Sequence, residues 1–355
     1  LTKVGTGIFT LSGINSYAGP TTINAGTLAL TGSITSDTTV SANGQLQGSG
    51  TINGDLTNAG NITPSISGNL TNLTINGNYV GQNGIFNTNV YAPTNSPTAD
   101  QLIITGNTSG TTSIKVIDKG GLGNLTTGNG IQVVTVGGTT NASNFVLNGR
   151  AASGAYEYKL YKGDASGSGN NWYLSTNAQV IPVVAITPDA RERIEVAVYP
   201  AVPTLARTYI NTTVDTLDQR RGDLSLLDLN HGPGSTRDWA RLIGSNGILS
   251  PDYINNGPKL NFNSVALQFG TDLYRNQGSD GSRTYFGPYA TIGNSNTSTF
   301  NTAGTLQTGS AKLDAYTLGL NATHFIGNGV YFDVLLQGTR FANVTASSTQ
   351  NADIK

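Results

Sequence analysis

The sequence predicts an all-β protein in which short stacked strands come first, one helix interrupts the chain, and longer alternating strands follow. Of the 355 residues, 46 are glycine and only 11% are charged. Short β-branched runs recur between Asn, Gly and Ser turns, which is typical of β-rich chains. A stretch near residue 204 has helical spacing, and after residue 238 the alternating runs lengthen to the size of membrane strands.

The first part of the chain, residues 1–99, repeats itself loosely. Each unit has a few alternating apolar residues closed by Gly or Asn, and units this short cannot bury a face alone. Stacked as rungs of a β-solenoid they form one continuous core, with Asn and Thr side chains aligned in ladders. The units are NAGTLALTGSI (24–34), ANGQLQGSGTINGDL (42–56), NAGNITPSISGNL (58–70) and NLTINGNY (72–79).

Residues 100–178 contain more apolar runs, such as DQLIITG, IQVVTV, AYEYKLY and NWYLS. The end of a solenoid exposes unpaired strand edges and apolar core, so this segment is expected to cap the stack. The aromatic residues that would form the core of this cap are Tyr156, Tyr158, Trp172 and Tyr173.

Residues 179–230 form a linker, because several prolines interrupt regular structure before a helix predicted at about 204–224. Leu205, Tyr209 and Leu217 fall near helical spacing, and Thr204 could cap the helix. About 20 helical residues span about 30 Å, close to the hydrocarbon thickness of a bilayer. The other faces of this helix carry Arg207, Asn211, Asp215, Asp218, Arg220 and Arg221.

Residues 231–355 contain about five runs of strand length, of which 261–275 and 329–341 alternate most clearly. A strand of about 9–11 residues with one apolar and one polar face is typical of a membrane barrel, although a soluble sandwich could show the same alternation. The apolar face, which would meet lipid, contains Val265, Leu267, Phe269, Phe332, Val334 and Leu336. The polar face, which would meet a water-filled lumen, contains Gln268, Asp272, Asp333 and Gln337.

Several classes of function are disfavoured. A net charge of −1 offers no basic cluster for nucleic acid. The chain has no cysteine, its solenoid has only scattered single carboxylates, and His231 and His324 lie outside that solenoid. We therefore predict no catalytic, metal or cofactor site, and we disfavour a polysaccharide-active solenoid enzyme, which needs converging carboxylates. The Arg221–Asp223 tripeptide is interpreted as a chance match to an integrin motif.

The ordered motifs resemble those of outer-membrane autotransporters. The string RERIEVAVYPAVPTLARTYINTTVDTLDQRRGDL, followed by DWARLIG, VALQFGTDL, GPYATIG, AYTLGLNATHF and GVYFDVLLQGTRF, resembles their linker and first barrel strands. The opening GTGIFTLSGINSYAGPTTINAGTLALTG is similar to a passenger-associated transport repeat, and GAYEYKL with NWYLS is similar to the autochaperone end of a pertactin-like passenger. The resemblance implies a right-handed solenoid followed by a transmembrane barrel.

The resemblance also implies type V secretion. The passenger would pass through a barrel in the Gram-negative outer membrane to the cell surface, driven by its own folding, while the linker helix plugs the lumen. Outer-membrane lipid, the barrel-assembly machinery and periplasmic chaperones are the implied partners, and a host surface or matrix ligand is a further candidate. The alternative function is an adhesin whose solenoid is itself the binding module.

The sequence departs from the family at two places. Where the serine-protease branch carries an Asn pair for self-cleavage, this chain has Asp215 and Thr216, so we expect an uncleaved or differently cleaved passenger. The family barrel has about twelve strands and this chain shows about five. Because open strand edges are unstable in lipid, further strands are expected after Lys355.

Overall fold

The computed structural model describes residues 1–66, 68–93, 96–176, 193–214, 217–221, 237–250, 258–301, 306–326 and 330–349. The side chains of Asp218, Arg221 and Arg237 lie outside this description. The chain divides into two compact units, Leu1–Arg193 and Ile194–Lys355, and each has its own core.

The first unit consists of short strands joined by tight turns. They are β1 (Thr2–Lys3), β2 (Ile8–Leu11), β3 (Ile14–Asn15), β4 (Thr21–Leu30), β5 (Ser33–Ile34), β6 (Thr38–Gln47), β7 (Thr51–Ile52), β8 (Leu56–Asn58), β9 (Asn61–Thr63), β10 (Asn72–Ile75), β11 (Tyr79–Tyr91), β12 (Thr98–Ala99), β13 (Gln101–Ile104), β14 (Thr108–Asp118), β15 (Ile131–Val136), β16 (Phe145–Leu147), β17 (Ala151–Ser153), β18 (Tyr156–Lys162) and β19 (Trp172–Ser175).

These strands form two sheets in which successive turns of the chain stack in parallel. One sheet has the order β1-β4-β6-β8-β11-β14-β16, and the other contains the parallel run β15-β13-β10-β7-β5-β3. Leu28, Leu46 and Ile62 lie opposite one another on neighbouring rungs and are fully buried. One apolar core therefore runs along the stack, and the predicted solenoid is confirmed.

The last strands of the first unit change direction. Strand β19 pairs antiparallel with β15 and with β18, and β18 pairs antiparallel with β17. This antiparallel group covers the end of the parallel stack. Tyr79 stacks on Phe145, and Phe145 meets Trp172 edge-on, with ring centroids 5.8 Å and 5.3 Å apart respectively. Aromatic packing thus joins the cap to the rungs.

A ladder of Asx side chains follows one corner of the solenoid. The Oδ1 atom of Asp37 accepts the backbone N–H of Asp55, whose Oδ1 accepts that of Asn78. Asn78 accepts in turn from the N–H of Asn107, and Asn107 from that of Thr139. Each side chain therefore satisfies a backbone donor on the next rung, which holds the corners in register.

The second unit contains helices and much longer strands. A 3₁₀ helix spans Ile194–Ala197, followed by α1 (Ala201–Val214) and α2 (Leu217–Arg221). Its strands are β20 (Arg237–Leu249), β21 (Lys259–Asp272), β22 (Tyr274–Gln277), β23 (Arg283–Phe300), β24 (Gln307–Phe325) and β25 (Tyr331–Ser348).

The long strands form one antiparallel sheet in the order β20-β21-β23-β24-β25, with β22 paired to β23. Neighbouring strands in the sheet are consecutive long strands in the sequence, as in an up-and-down barrel. The predicted linker helix and antiparallel barrel strands are therefore present, and the predicted fold class is confirmed. No helix within the described parts of the chain combines the length and apolar character needed to cross a membrane.

Candidate functional site

The antiparallel sheet has an outer apolar face and an inner polar face. Strand alternation places Leu242, Leu267 and Ile292 on one outward row. Leu242 and Leu318 are 77% and 74% exposed, although both are large apolar residues. The adjacent inward row reads Arg241, Gln268, Thr291, Thr317 and Thr339 across the five long strands. This distribution is the reverse of a soluble protein and matches a strand wall between lipid and water.

Helix α1 packs along the inner face of this sheet. Leu205 and Tyr209 are buried against Ala266 and Ala315, and the Tyr209 ring meets Phe341 edge-on at a centroid distance of 6.4 Å. The inner row here consists mainly of small residues, which lets the helix approach closely. At Gly293 an added Cβ would lie 2.7 Å from the Tyr209 hydroxyl oxygen, so only glycine fits this contact without displacement.

The C-terminal end of α1 is held by side chains of the sheet. The Thr213 carbonyl, in the last turn of the helix, accepts from Arg241 Nη2 at 3.0 Å and from Gln268 Nε2 at 3.2 Å. Arg241 Nε also donates to Gln268 Oε1 at 2.8 Å. The C-terminal end of a helix has unsatisfied carbonyls and carries partial negative charge. The Arg241 guanidinium and the Gln268 amide therefore stabilise this end of α1.

Helix α2 contributes a buried charge pair. Arg220 Nη2 donates to Asp333 Oδ2 at 2.6 Å, and the side chains are 1% and 13% exposed. Thr323 donates to the other carboxylate oxygen at 2.7 Å. Both Asp333 and Thr323 lie on the inner face, where they are partners across β24 and β25. The helical segment therefore has an ionic contact with the wall beyond the end of α1.

Threonines within α1 satisfy their own hydroxyls. Thr208 donates to the carbonyl of Thr204, Thr212 to that of Thr208, and Thr213 to that of Ile210. Such back-bonding leaves fewer free polar groups on the helix surface. These three hydroxyls therefore need no partner on the sheet.

Three family models match separate parts of the chain. The Passenger-associated-transport-repeat model matches residues 1–30, the Autochaperone Domain Type 1 model residues 50–160, and the Autotransporter beta-domain model residues 239–355. The first two matches lie in the solenoid and its cap, and the third covers the antiparallel sheet. The chain belongs to the autotransporter family.

Named relatives agree with this assignment. The chain is 32% identical to the uncharacterized protein YuaQ of Escherichia coli K12, over 96% of the chain and 26% of YuaQ. It is 36% identical to the adhesin BmaC autotransporter of Brucella suis, over 48% of the chain and 5% of BmaC. Identity to the autotransporter adhesin AIDA-I of Escherichia coli is 32%, over 50% of the chain and 13% of AIDA-I. The chain thus spans a minor part of each.

An autotransporter beta-domain belongs to the outer membrane of a Gram-negative bacterium, and its passenger is exposed at the cell surface. On the sheet of this autotransporter, the residues predicted to face lipid all lie on the outer face: Val265, Leu267, Phe269, Phe332, Val334 and Leu336. The residues predicted to face the lumen all lie on the inner face: Gln268, Asp272, Asp333 and Gln337. The Tyr289 hydroxyl donates to Gln337 Oε1 at 2.8 Å.

The predicted helix residues divide into two groups. Arg220 meets the sheet, whereas Arg207 and Asn211 are exposed on the side of α1 away from Leu205 and Tyr209. Of the residues predicted to face the lumen, Asp333 pairs with the charged Arg220, whereas Gln268 binds a backbone carbonyl of the helix. Asp215 and the side chains of Asp218 and Arg221 lie outside the described residues.

The helix begins earlier than the sequence indicated. It starts at Ala201, so Thr204 lies inside the first turn, and the prediction that Thr204 caps the helix is wrong. Pro203, one of the prolines expected to interrupt regular structure, lies within this first turn, where proline is tolerated because its missing N–H would have no partner. Residues 222–224, at the predicted end, are outside the described residues.

Sequence reasoning missed Arg241 and Tyr289. Both occur in strands that it recognised, DWARLIG and GPYATIG, and the strand period alone puts Arg241 on the same face as Trp239 and Ile243. Among the predicted cap residues, Tyr158, Trp172 and Tyr173 are buried and Tyr156 is half-buried.

The described residues contain no group of three or more metal-ligating side chains of His, Asp or Glu. His324 is exposed, and its Nδ1 atom lies 2.9 Å from Thr284 Oγ1. His231 and most of the Arg221–Asp223 tripeptide lie outside the described residues.

Proposed function

We propose that this chain is the translocating end of an autotransporter together with the stem of its passenger, and that it works in type V secretion without catalysis of its own. In this proposal α1 and α2 thread the lumen of an outer-membrane barrel, tether the passenger and close the pore. Folding of the solenoid outside the cell biases the chain outward.

The observation that carries the proposal is the position of the helices against the charged inner face of the sheet. Asp333 and Arg241 lie on that face and bind Arg220 of α2 and the last turn of α1 respectively, while the opposite face presents leucine and phenylalanine side chains. Lipid would strongly disfavour these charges, whereas lumenal water and polar walls accept them. A helix held at Thr213 and again at Arg220 leaves less room for ions beside it.

The finer partners belong to the same proposal. Insertion of such a barrel calls for the barrel-assembly machinery and for periplasmic chaperones that keep the strands unpaired until then. Outer-membrane lipid surrounds the finished wall. The matching models and relatives are named for transport and adhesion, and none is named for a reaction. We therefore propose that the stem has no active site.

A second candidate function is adhesion by the solenoid itself. It is favoured by one observation, that the relatives BmaC and AIDA-I are both named adhesins. Deleting Leu1–Thr176 from the full-length protein should abolish binding of expressing cells to host matrix while the barrel still inserts. Unchanged binding would exclude the stem as the adhesive module.

Electrical conductance tests the plugging helix. The full-length protein reconstituted in planar bilayers should stay closed, and deletion of residues 201–221 should open it to ions. The matched control is a deletion of similar length in the solenoid, residues 24–44, which should leave the protein closed. Equal conductance of the helix deletion and the intact protein would overturn the assignment of the helix to the lumen.

A further inference from the structure

The outer face of the antiparallel sheet carries a depression with a volume of about 600 Å³. One row of directly paired outward residues crosses it: Ala240 on β20, Phe269 on β21, Ala290 on β23 and Leu318 on β24. Neighbouring strands are about 4.8 Å apart, so this row is about 14 Å long. We call the depression the outer groove; it is lined by residues 238–240, 269–271 and 288–290 and by Leu318.

Small side chains form the floor of the outer groove. Ala240, Pro288 and Ala290 stand at outward positions on a face that otherwise carries mainly bulky apolar residues. Phe269 and Leu318, which are both exposed, flank Ala290 on the two neighbouring strands. Because β21 and β23 each have a paired strand on both sides, the sheet fixes the middle of this floor.

A bulge in the strand pairing lies beside the floor. The pairing of β21 and β22 with β23 sets three residues, 271–273, against only two, 287–288. Pro288 has no N–H to donate to the sheet, and proline is tolerated within a strand at such a bulge. The shape of the outer groove therefore follows from the backbone as well as from the choice of side chains.

The outer groove lies at the end of the sheet away from the passenger. Leu249, at one end of β20, packs against the cluster that contains Ala201 in the first turn of α1. Arg241, near the other end of β20 and close to Asp238, binds the last turn of α1. The helix follows the surface-exposed passenger in the chain, so its first turn belongs to the outer side of the membrane. The outer groove therefore faces the periplasmic leaflet.

Two polar side chains stand at one end of the outer groove. Asp238 lies directly opposite Thr271 in the pairing of β20 with β21, and strand alternation turns both outward. Asp238 is exposed, and within the described part of the chain no hydrogen bond or ion pair engages its carboxylate. A carboxylate accepts strong hydrogen bonds from an ammonium group, and a hydroxyl can donate to a phosphate. This end therefore complements a zwitterionic headgroup.

The outer groove leads from this polar end into the apolar band. On β20 only Asp238 precedes Ala240 in the outward series of the strand. On β24, by contrast, Leu318 is followed toward the periplasmic end by the outward residues Leu320 and Ala322. Leu318 therefore lies deeper in the apolar band than Ala240, although the two belong to one row.

We propose that the outer groove binds an acyl chain of a periplasmic-leaflet phospholipid whose primary ammonium headgroup pairs with Asp238. The acyl chain passes over Ala290 toward Leu318, and the Thr271 hydroxyl donates to the phosphate of the same lipid. Half of a hydrocarbon core of about 30 Å is about 15 Å deep, so a groove of about 14 Å holds most of one chain. The inference rests on the proposed function, because that function exposes this face to lipid.

Native mass spectrometry of the full-length protein, released from detergent micelles, measures the affinity for added phospholipids. The native chain should bind phosphatidylethanolamine at least about tenfold more tightly than phosphatidylglycerol, which has no ammonium group. Ala290→Phe fills the outer groove and should weaken the binding of phosphatidylethanolamine at least about tenfold. The matched control Ala322→Phe adds the same ring to the outer face outside the groove and should change this affinity by less than about twofold.

Asp238→Asn should still bind phospholipid but should lose the preference for the ammonium headgroup. Heat-modifiable migration in gels confirms that each variant has a folded barrel. Equal affinity of Ala290→Phe and the native chain for phosphatidylethanolamine would overturn the groove as the binding site. An unchanged headgroup preference in Asp238→Asn would overturn the role of the carboxylate. A native chain that does not enter vesicles contradicts the proposed function itself, whereas one that enters them but ignores these substitutions contradicts only the lipid site.

Discussion

Arg220 and Asp333 form a charge pair between a helix and the wall of the sheet, with Nη2 and Oδ2 only 2.6 Å apart. The aspartate is further held by Thr323, and the arginine side chain is almost inaccessible to solvent. Losing one partner of such a buried pair leaves an uncompensated charge, which costs about 3–5 kcal/mol. The contact therefore resists withdrawal of α2 from the inner face.

Replacing Asp333 with Asn should loosen the helical segment. Arg220 would remain buried opposite a neutral amide, so we expect brief openings to ions in planar bilayers, where the native protein stays closed. The control is Arg207→Ala, because Arg207 is exposed on the other side of α1. Exchanging the charges in Arg220→Asp/Asp333→Arg should restore part of the closure. A closed Asp333→Asn channel would exclude the pair as a latch.

Alternation along single strands was visible in the sequence because a β-strand reverses its side chains at every residue. That period alone places Val265 and Leu267 on the face opposite Gln268, as the structure has them. The anchor at Thr213 could not be predicted in the same way. It depends on the register that sets Arg241 beside Gln268 and on the depth of α1, and neither follows from a local pattern.

The cap shows the same limit. Aromatic composition indicated that Trp172 belongs to a buried cap, but not that Phe145 links it to Tyr79. Phe145 lies in the three-residue strand β16, which is too short for its period to reveal a buried face. Contacts between residues so far apart in the chain arise only once the rungs are stacked.

Trp172→Ala should weaken the passenger without affecting the barrel. Truncating a buried aromatic costs about 3–5 kcal/mol, and here it also removes the edge-on contact with Phe145. We expect less passenger at the surface of intact cells by antibody labelling, with unchanged heat-modifiable migration of the barrel. Tyr91→Ala is the matched control, because Tyr91 is 45% exposed. Normal display of the Trp172 variant would contradict cap-driven folding.

The Asx ladder predicts a local weakness at its centre. Asn78→Ala leaves the N–H of Asn107 without its side-chain acceptor and removes the amide contact with Asp55. Each lost hydrogen bond is worth about 1 kcal/mol, so the stem should unfold at a lower urea concentration in pulse proteolysis. Asn43→Ala is the control, because Asn43 is exposed and outside the ladder. If the urea concentration of unfolding falls equally in Asn78→Ala and Asn43→Ala, the register of the rungs does not depend on the ladder.

Asp100 predicts a pH dependence of the stem. Its fully buried carboxylate accepts the N–H groups of Thr71 and Asn89 and the Asn89 amide. Burial raises the pKa of Asp100 above its ordinary value of 3.8, although these donors offset part of the effect. The unfolded chain therefore releases this proton at a lower pH than the folded chain does. The contribution of Asp100 to the stability of the stem is therefore present at and below the pKa of this group in the unfolded chain. It is lost as pH rises through the higher pKa of the folded chain.

Asp100→Asn should remove this dependence of stability on pH. The variant should be less stable at every pH, because its amide places N–H groups against the donors that face Asp100. Pulse proteolysis of the full-length protein in urea, at steps of pH on both sides of 3.8, measures the change. Asp164→Asn provides a control whose pH dependence has the opposite sign. Hydrogen bonds from Ser166 and Ser168 lower the pKa of Asp164, so the stability that this carboxylate contributes is lost as pH falls. If the native chain and Asp100→Asn lose stability in parallel as pH rises, the buried carboxyl is not the source of the dependence.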